Sequence, residues 1–437
     1  MRPAPAHKIR PIRGERPPHL RSLLVVHASE LLTLRGPTGP RAREAASDLG
    51  IIEDGALYVE GERIVEVGPT SEVLRRHPMA SATLDATGKV VLPGLVDAHT
   101  HTIFAGSREH EVEWKAQGLS YGEIAARGGG ILQTVRATRE AGEADLVRTG
   151  LERLLTFVDY GTTTVEVKSG YGLRTEDELK MLRAAAEAGR AAGVDVVPTF
   201  LGAHAIPPEY EGRADAYVDL LISESLPAVA LAGLSPFCDA FVEQGYFDAA
   251  QGKRLLQKAI SLGLRGKVHA DELSDSGGAA LAAEMRAVSA DHLLHVSDAG
   301  VEAMARNGVV ATLLPATSLA SRMSFADGRR LLAAGVPVAL GTDFNPNCWC
   351  ESMQLVIALA CHHNGLLPAQ AITAATINAA HAIGKGEDIG SLEPQKLADF
   401  LVLDAPSYRH LGYRIGGNLA EAVVKRGRVR KGRGLTK

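Results

Sequence analysis

Residues 93–106 read PGLVDAHTHTIFAG: a Pro-Gly break, a short apolar run, then two histidines two positions apart. In an extended segment residues i and i+2 leave the same face, so His99 and His101 can reach one ion. The same grammar of a short β-branched run closed by a polar residue repeats along the chain. Eight such runs fall near 95–99, 162–168, 195–201, 238–243, 266–270, 287–292, 309–313 and 336–341. Helical patterns lie between them, among them DELKMLRAAAEAGRAAG (177–193) and SMQLVIALACHHNGLLPAQAITAATINAAHAIG (352–384). Strands alternating with helices signal βα units and a parallel sheet. Eight of them predict an α/β chain whose residues 96–384 close into a (β/α)8 TIM barrel.

Outside that region the texture changes. LLVVHASELLTL (23–34), GALYVEGERIVEVG (55–68) and KVVLPG (89–94) are β-type runs broken by Gly and Pro, and the style returns in ADFLVLDA (398–405) and EAVVKRGRV (421–429). A small β-sandwich domain is expected from both chain termini, 21–95 plus 385–437, with the barrel inserted between them. The first 20 residues, rich in Arg and Pro, read as a disordered leader. The basic stretch RGRVRKGRGLTK (426–437) reads as a short solvated end.

Composition removes several function classes. The 437 residues are 46% hydrophobic, enough for a large core, and the net charge of -4 offers no basic excess for nucleic acid. No apolar run has the length of a membrane helix or a secretory signal. Four cysteines are too few for a disulfide framework and suit a reducing cytoplasm. A small-molecule substrate is the expected partner.

Barrel active sites form at the carboxyl ends of the strands, where the polar residues therefore carry most weight. The first run ends in His99 and His101, the fifth in His269, the sixth in His292, and the eighth runs into Asp343. One histidine there would be a packed or surface residue; several on one rim point to a metal. Neutral imidazoles with a carboxylate suit a borderline divalent ion that leaves a place for water, whose pKa then falls to about 7. Glu272, three residues past His269, can reach the water side of such an ion as general acid/base. Asp343 could share that proton transfer, and His292 is placed to polarise the oxygen that becomes anionic. The residues alone do not divide these roles. Lys168 ends the second run, not the fourth, which argues against a lysine-bridged pair of metals; either it points a charge into the pocket or it merely closes a strand.

PGLVDAHTHTIFAG, VHADE (268–272) and GTDFNPN (341–347) together resemble the amidohydrolase superfamily. Within it, HTHTIFAGSRE, ARGGGI, VEVKSGYGL, FLGAHAIP, HADELSDSGG and SADHL are similar, in order, to the imidazolonepropionase family. The resemblance implies one zinc or iron ion on His99, His101, His269 and Asp343. It implies a substrate, imidazolonepropionate, with a polar ring and a propionate tail, opened by hydrolysis. Arg108 would take the carboxylate, while Tyr121, Tyr171, His204, Glu272 and Asn345 would line the pocket. Gly128 to Gly130 would bend over the ligand or simply connect, and the family implies a homodimer. One departure stands out: Asn347 and Cys348 occupy positions where many members have a small Gly and a hydroxyl residue, which puts ligand contacts there in question. The Cys348/Cys350 pair reads as packing. Two rivals remain, a deaminase or other cyclic amide or amidine hydrolase of the superfamily, and a non-catalytic scaffold that keeps the barrel.

Overall fold

Eight parallel strands lie side by side in sequence order: β1 (Leu95–Asp97), β2 (Thr162–Lys168), β3 (Asp195–Ala203), β4 (Phe237–Val242), β5 (Arg265–Ala270), β6 (Ser289–His292), β7 (Val310–Leu313) and β8 (Val338–Leu340). They were located in a computed structural model that describes residues 21–119, 123–124, 127–432 and 435–436. The expected runs therefore match the observed strands to within a few residues. Each strand is buried on both faces, as parallel strands under helices must be.

The sheet closes without a ladder between β1 and β8. Ala98 N donates to Leu340 O at 3.4 Å, Asp343 N to His99 O at 2.9 Å and His101 N to Phe344 O at 2.8 Å. The Asp97 carboxylate accepts from Thr342 N at 2.9 Å and Thr342 Oγ1 at 2.6 Å. These contacts join the first and last walls at the rim where His99, His101 and Asp343 sit, and so fix their spacing.

The outer helices follow their sequences. Thr175–Ala192 starts with Glu176, Asp177 and Glu178 in its first turn and ends on Gly193 in the left-handed region (φ 65°), favourable charge at one end and a glycine stop at the other. The 352–384 pattern is three helices rather than one: Met353–His363, Pro368–Ala374 and Ile377–Ala382. Gly365 (φ 71°) breaks the first from the second, and Pro368 suits a first helical turn but not an interior.

Two further sheets, built from both termini, face each other as a small sandwich. One runs Leu435–Thr436, Ala82–Asp85, Ser22–Ala28, Gly55–Glu60, Arg63–Pro69; the other Arg428–Lys431, Ala420–Lys425, Phe400–Leu403, Val90–Pro93, Glu30–Leu32, Ile51–Ile52. Leu57, Val59, Ile64, Val91, Phe400 and Val424 meet in the core between them. The basic end is not a free solvated tail. Its residues Arg428–Lys431 form an edge strand, and Arg426 pairs with Asp195 at 3.1 Å and Glu62 at 3.2 Å. The expected leader, residues 1–20, lies outside the described residues. Among these, no helix is long and apolar enough to cross a membrane.

Candidate active site

At the carboxyl end of the barrel, a cavity of about 280 Å³ opens among His101, His204, His269, His292, Glu272 and Asp343. Its walls are largely apolar, with Ile131, Phe241, Leu273 and Met323 among the lining residues, and Tyr171, Asn345, Asn347, Arg108 and Lys115 add polar groups. His99 lies beneath, fully buried.

The imidazoles converge. Ring centroids of His99 and His269 are 4.6 Å apart, of His99 and His101 5.3 Å, and of His269 and His292 5.2 Å. Asp343 Oδ1 lies 3.5 Å from His99 Nε2 and 3.6 Å from His101 Nε2. Burial, then neighbouring positive groups, hold His99 and His101 far below the usual imidazole range, so these are lone-pair donors rather than imidazolium partners of Asp343. His99 Nε2, His101 Nδ1, His269 Nε2 and His292 Nε2 are buried without a hydrogen-bond partner. Unpartnered buried donors crowded around a carboxylate cost free energy unless a cation meets them, so the residues present fit a divalent ion. Three overlapping groups could hold it: His99, His101 and Asp343; His99, His269 and His292; His101, His204 and His269.

Behind these donors lies a charged layer that the sequence reading did not assemble. Asp291 Oδ2 lies 2.7 Å from His99 Nδ1, and Asp239 Oδ2 lies 3.0 Å from His269 Nδ1. Each carboxylate turns the opposite ring nitrogen toward the site, the usual outer partnership of a metal-binding histidine. Lys168 Nζ sits between them, 2.7 Å from Asp239, 3.3 Å from Asp291 and 3.1 Å from Glu166. Lys267 also reaches Glu166, at 3.1 Å. Burial opposes charge on Lys168, but the carboxylates outweigh it and its pKa is raised. Lys168 does close a strand, as one of the two readings had it, and beyond that it fixes the carboxylates that aim the histidines. A fourth donor group, His99, Glu166 and Asp291, is taken up by these lysines.

Asp343 is in the left-handed region (φ 47°), as is His292 (φ 77°), a strained backbone of the kind that gathers at functional sites. Thr317 Oγ1 donates to Asp343 Oδ2 at 2.6 Å and Asn345 Nδ2 to Oδ1 at 3.0 Å; burial raises the Asp343 pKa to about 6. Glu272 Oε1 stands 3.6 Å from His292 Nδ1. Burial, followed by the nearby Asp343, pushes the Glu272 carboxyl up to about 8. Its loop is pinned from both sides: Asp271 accepts from Gly278 N at 2.9 Å and Ala279 N at 3.1 Å, and Glu243, at the end of β4, accepts from Leu273 N at 2.8 Å.

His204 stacks on His101 (4.9 Å, 14°), and its Nδ1 lies 3.0 Å from Gly170 O. That approach needs the glycine, since a Cβ at Gly170 would stand 2.8 Å from His204 Nδ1. Arg108 is buried against Glu111 in a two-point pair, Nε to Oε1 at 2.8 Å and Nη2 to Oε2 at 2.7 Å. Glu111 Oε1 also accepts from Gly130 N at 2.7 Å, which ties the triple-glycine stretch to this pair. Tyr121 lies outside the described residues. Cys348 and Cys350 are buried free thiols, and burial raises the pKa of both. Asn347 lines the cavity and is held by Ser321 and Lys115.

A metal-fitted rim on a (β/α)8 barrel with a flanking sandwich defines a metal-dependent hydrolase of the amidohydrolase class. The Amidohydrolase family matches residues 249–430, and the bacterial imidazolonepropionase-like composite domain matches residues 55–78. An adenosine deaminase from Xanthomonas campestris, solved with bound zinc, shares the fold over 94% of this chain and 93% of its own (TM-score 0.65, 20% identity). The imidazolonepropionase of Symbiobacterium thermophilum is 52% identical over 93% of this chain and 96% of its own. That of Geobacillus kaustophilus is 49% identical over 94% and 98%. The chain belongs to the imidazolonepropionase family.

Proposed function

We propose that this hydrolase opens the ring of 4-imidazolone-5-propanoate to give N-formimidoyl-L-glutamate in histidine degradation, with one zinc or iron ion on His99, His101, His269 and Asp343. The observation that carries the reading is a cluster of buried imidazoles with unpartnered ring nitrogens, two of which, His99 and His101, face Asp343 Oδ1 through Nε2, in a cavity that also presents Arg108. When bound, such an ion would lower the pKa of water to about 7 and supply the nucleophile at neutral pH.

The chain's own groups do the rest. Tyr171, His204 and Asn345 bound the space for a planar ring, and the apolar walls limit bulk water. Glu272 takes a proton from the attacking water and delivers it to the departing ring nitrogen, while Asp343 shares the first transfer. Neutral His292, whose Nδ1 stands 3.6 Å from Glu272 Oε1, polarises the oxygen that gains charge. Arg108 faces the propionate with the guanidinium that Glu111 already orients. The same reading gives catalysis to residues 96–384 and support to 21–95 with 385–437. It makes the enzyme a cytoplasmic homodimer, where its four thiols stay reduced.

The test is to offer fresh imidazolonepropionate to metal-replete and metal-stripped protein, following the ring chromophore and assaying ammonia. Ring loss that depends on the ion and releases no ammonia is expected. Ammonia release would favour a deaminase, and an intact ring would overturn the substrate. Arg108→Ala is expected to raise KM about tenfold or more, with kcat changed less, because a remote carboxylate alters little on the way to the transition state. An unchanged KM would take Arg108 away from the substrate.

A further inference from the structure

The cavity is electrically lopsided. Two carboxyl groups, Asp343 and Glu272, lie with the histidines, and the two cations among its lining residues are Arg108 and Lys115. Both cations belong to one short stretch of chain, Lys115 lying on the helix Glu111–Ala116. Among the described residues, Glu111 is the carboxylate in hydrogen-bond contact with that cationic pair, and it is committed: Arg108 takes both oxygens and Gly130 N takes Oε1 as well. Lys115, four residues further on, is left with a neutral acceptor, Asn347 Oδ1. Among the described residues no carboxylate lies within ion-pair distance of its ammonium. Arg322 adds a third positive charge, its Nη1 donating to Lys115 O at 3.1 Å. One carboxylate against this group leaves positive charge in a half-buried wall, and a ligand bearing a carboxylate would balance it.

The position of the ammonium is also set from the reacting end. Asn347 Nδ2 donates to Ser321 Oγ at 2.9 Å, which orients its oxygen toward Lys115. Asn347 N donates to Asn345 Oδ1 at 2.7 Å, and Asn345 Nδ2 donates in turn to Asp343 Oδ1 at 3.0 Å. Two asparagines therefore link the cation to the carboxylate at the other end of the cavity. Asn347 thus serves as the seat of Lys115.

We propose that Lys115, held by Asn347, is a second anchor for the substrate carboxylate beside Arg108 and makes the pocket select a ring whose tail ends in a negative charge. This rests on the reading of the reaction given above, and the experiment separates the two. Wild type, Lys115→Met and Lys115→Arg are compared on imidazolonepropionate and on its neutral propanamide counterpart. In parallel, imidazole propanoate and imidazole propanamide, which lack the scissile amide, are titrated calorimetrically.

Lys115→Met is expected to raise KM for the acid about ten- to a hundredfold with kcat within about threefold, the scale of a lost hydrogen bond to a charged group. For the amide the variant and wild type should differ by less than about twofold, and Lys115→Arg should recover part of the loss, because charge rather than shape is at stake. The calorimetric affinities should follow the same pattern. Equal losses on acid and amide would mean a structural role and overturn the proposal. So would a wild-type protein that binds the acid no tighter than the amide, or ring opening with KM unchanged in Lys115→Met; in that last case the reaction stands. Lys115-dependent binding of the acid without ring opening would keep the anchor and overturn the reaction.

Discussion

Asp343→Ala is expected to emerge from purification folded, without its ion and without turnover. Asp343 is the anion of the donor set, and its Oδ1 lies 3.5 and 3.6 Å from the Nε2 atoms of His99 and His101. Removing it leaves three imidazoles and no anion to meet a doubly charged ion, and it strands the Thr317 hydroxyl and the Asn345 amide that now bond to it. Metal affinity should fall by more than about a hundredfold, beyond the range seen when an outer partner of a ligand is lost. Turnover should fall by about a thousandfold or more, since no ion then lowers the pKa of water. Alanine is strained at φ 47°, by about 1 kcal/mol, so Asp343→Asn is the control: asparagine tolerates that backbone and lacks the charge. Elemental analysis beside circular dichroism separates the outcomes. A metal-replete, active Asp343→Ala protein would remove Asp343 from the ligand set.

Glu272→Gln should do the opposite to the metal and the same to the rate. The glutamine matches the glutamate in shape and keeps its place in the loop pinned by Asp271 and Glu243, so the ion should remain at full stoichiometry. It cannot exchange a proton between water and a leaving nitrogen, and kcat should drop about 10² to 10⁴-fold. Burial and Asp343 raise the Glu272 carboxyl to about 8, and a divalent ion nearby would draw it back toward neutrality, where one group can serve as base and then as acid. Full activity in this variant would take Glu272 out of the mechanism.

The periodic parts of this fold were legible because each is a local statement. A run such as TTTVEVK is a strand wherever it lies, and eight of them in alternation leave few topologies. The rim histidines were legible because they end those runs. The layer beneath was not. Lys168 and Asp239 are 71 residues apart, one at the end of TTTVEVK and the other a single charge inside the apolar run FCDAFV, and only lateral register in the closed barrel brings them to 2.7 Å. A charged residue within a fully buried strand, as in FCDAFV, was the available signal, because burying a charge is costly unless a partner waits. Arg108 shows a different gap: Glu111, three residues on, was visible as its partner, yet the arginine was read only against a ligand. The break between Met353–His363 and Pro368–Ala374 was signalled by Asn364, Gly365 and Pro368, which the apolar periodicity on either side outweighed, whereas the second break, at Ala375 and Thr376, carries no such signal.

The contacts that join β1 to β8 give the ion a mechanical meaning. Asp97 and Thr342, 245 residues apart in the chain, meet at this join, and the histidines after β1 face the aspartate after β8 directly above it. An ion bound to both sides would be a clasp across the place where the barrel's two ends meet, adding to the free energy needed to open a join that the protein's own hydrogen bonds already hold. Free metal would then raise the melting temperature through mass action, and a chelator would lower it by acting at the catalytic rim while leaving the barrel folded at ordinary temperature.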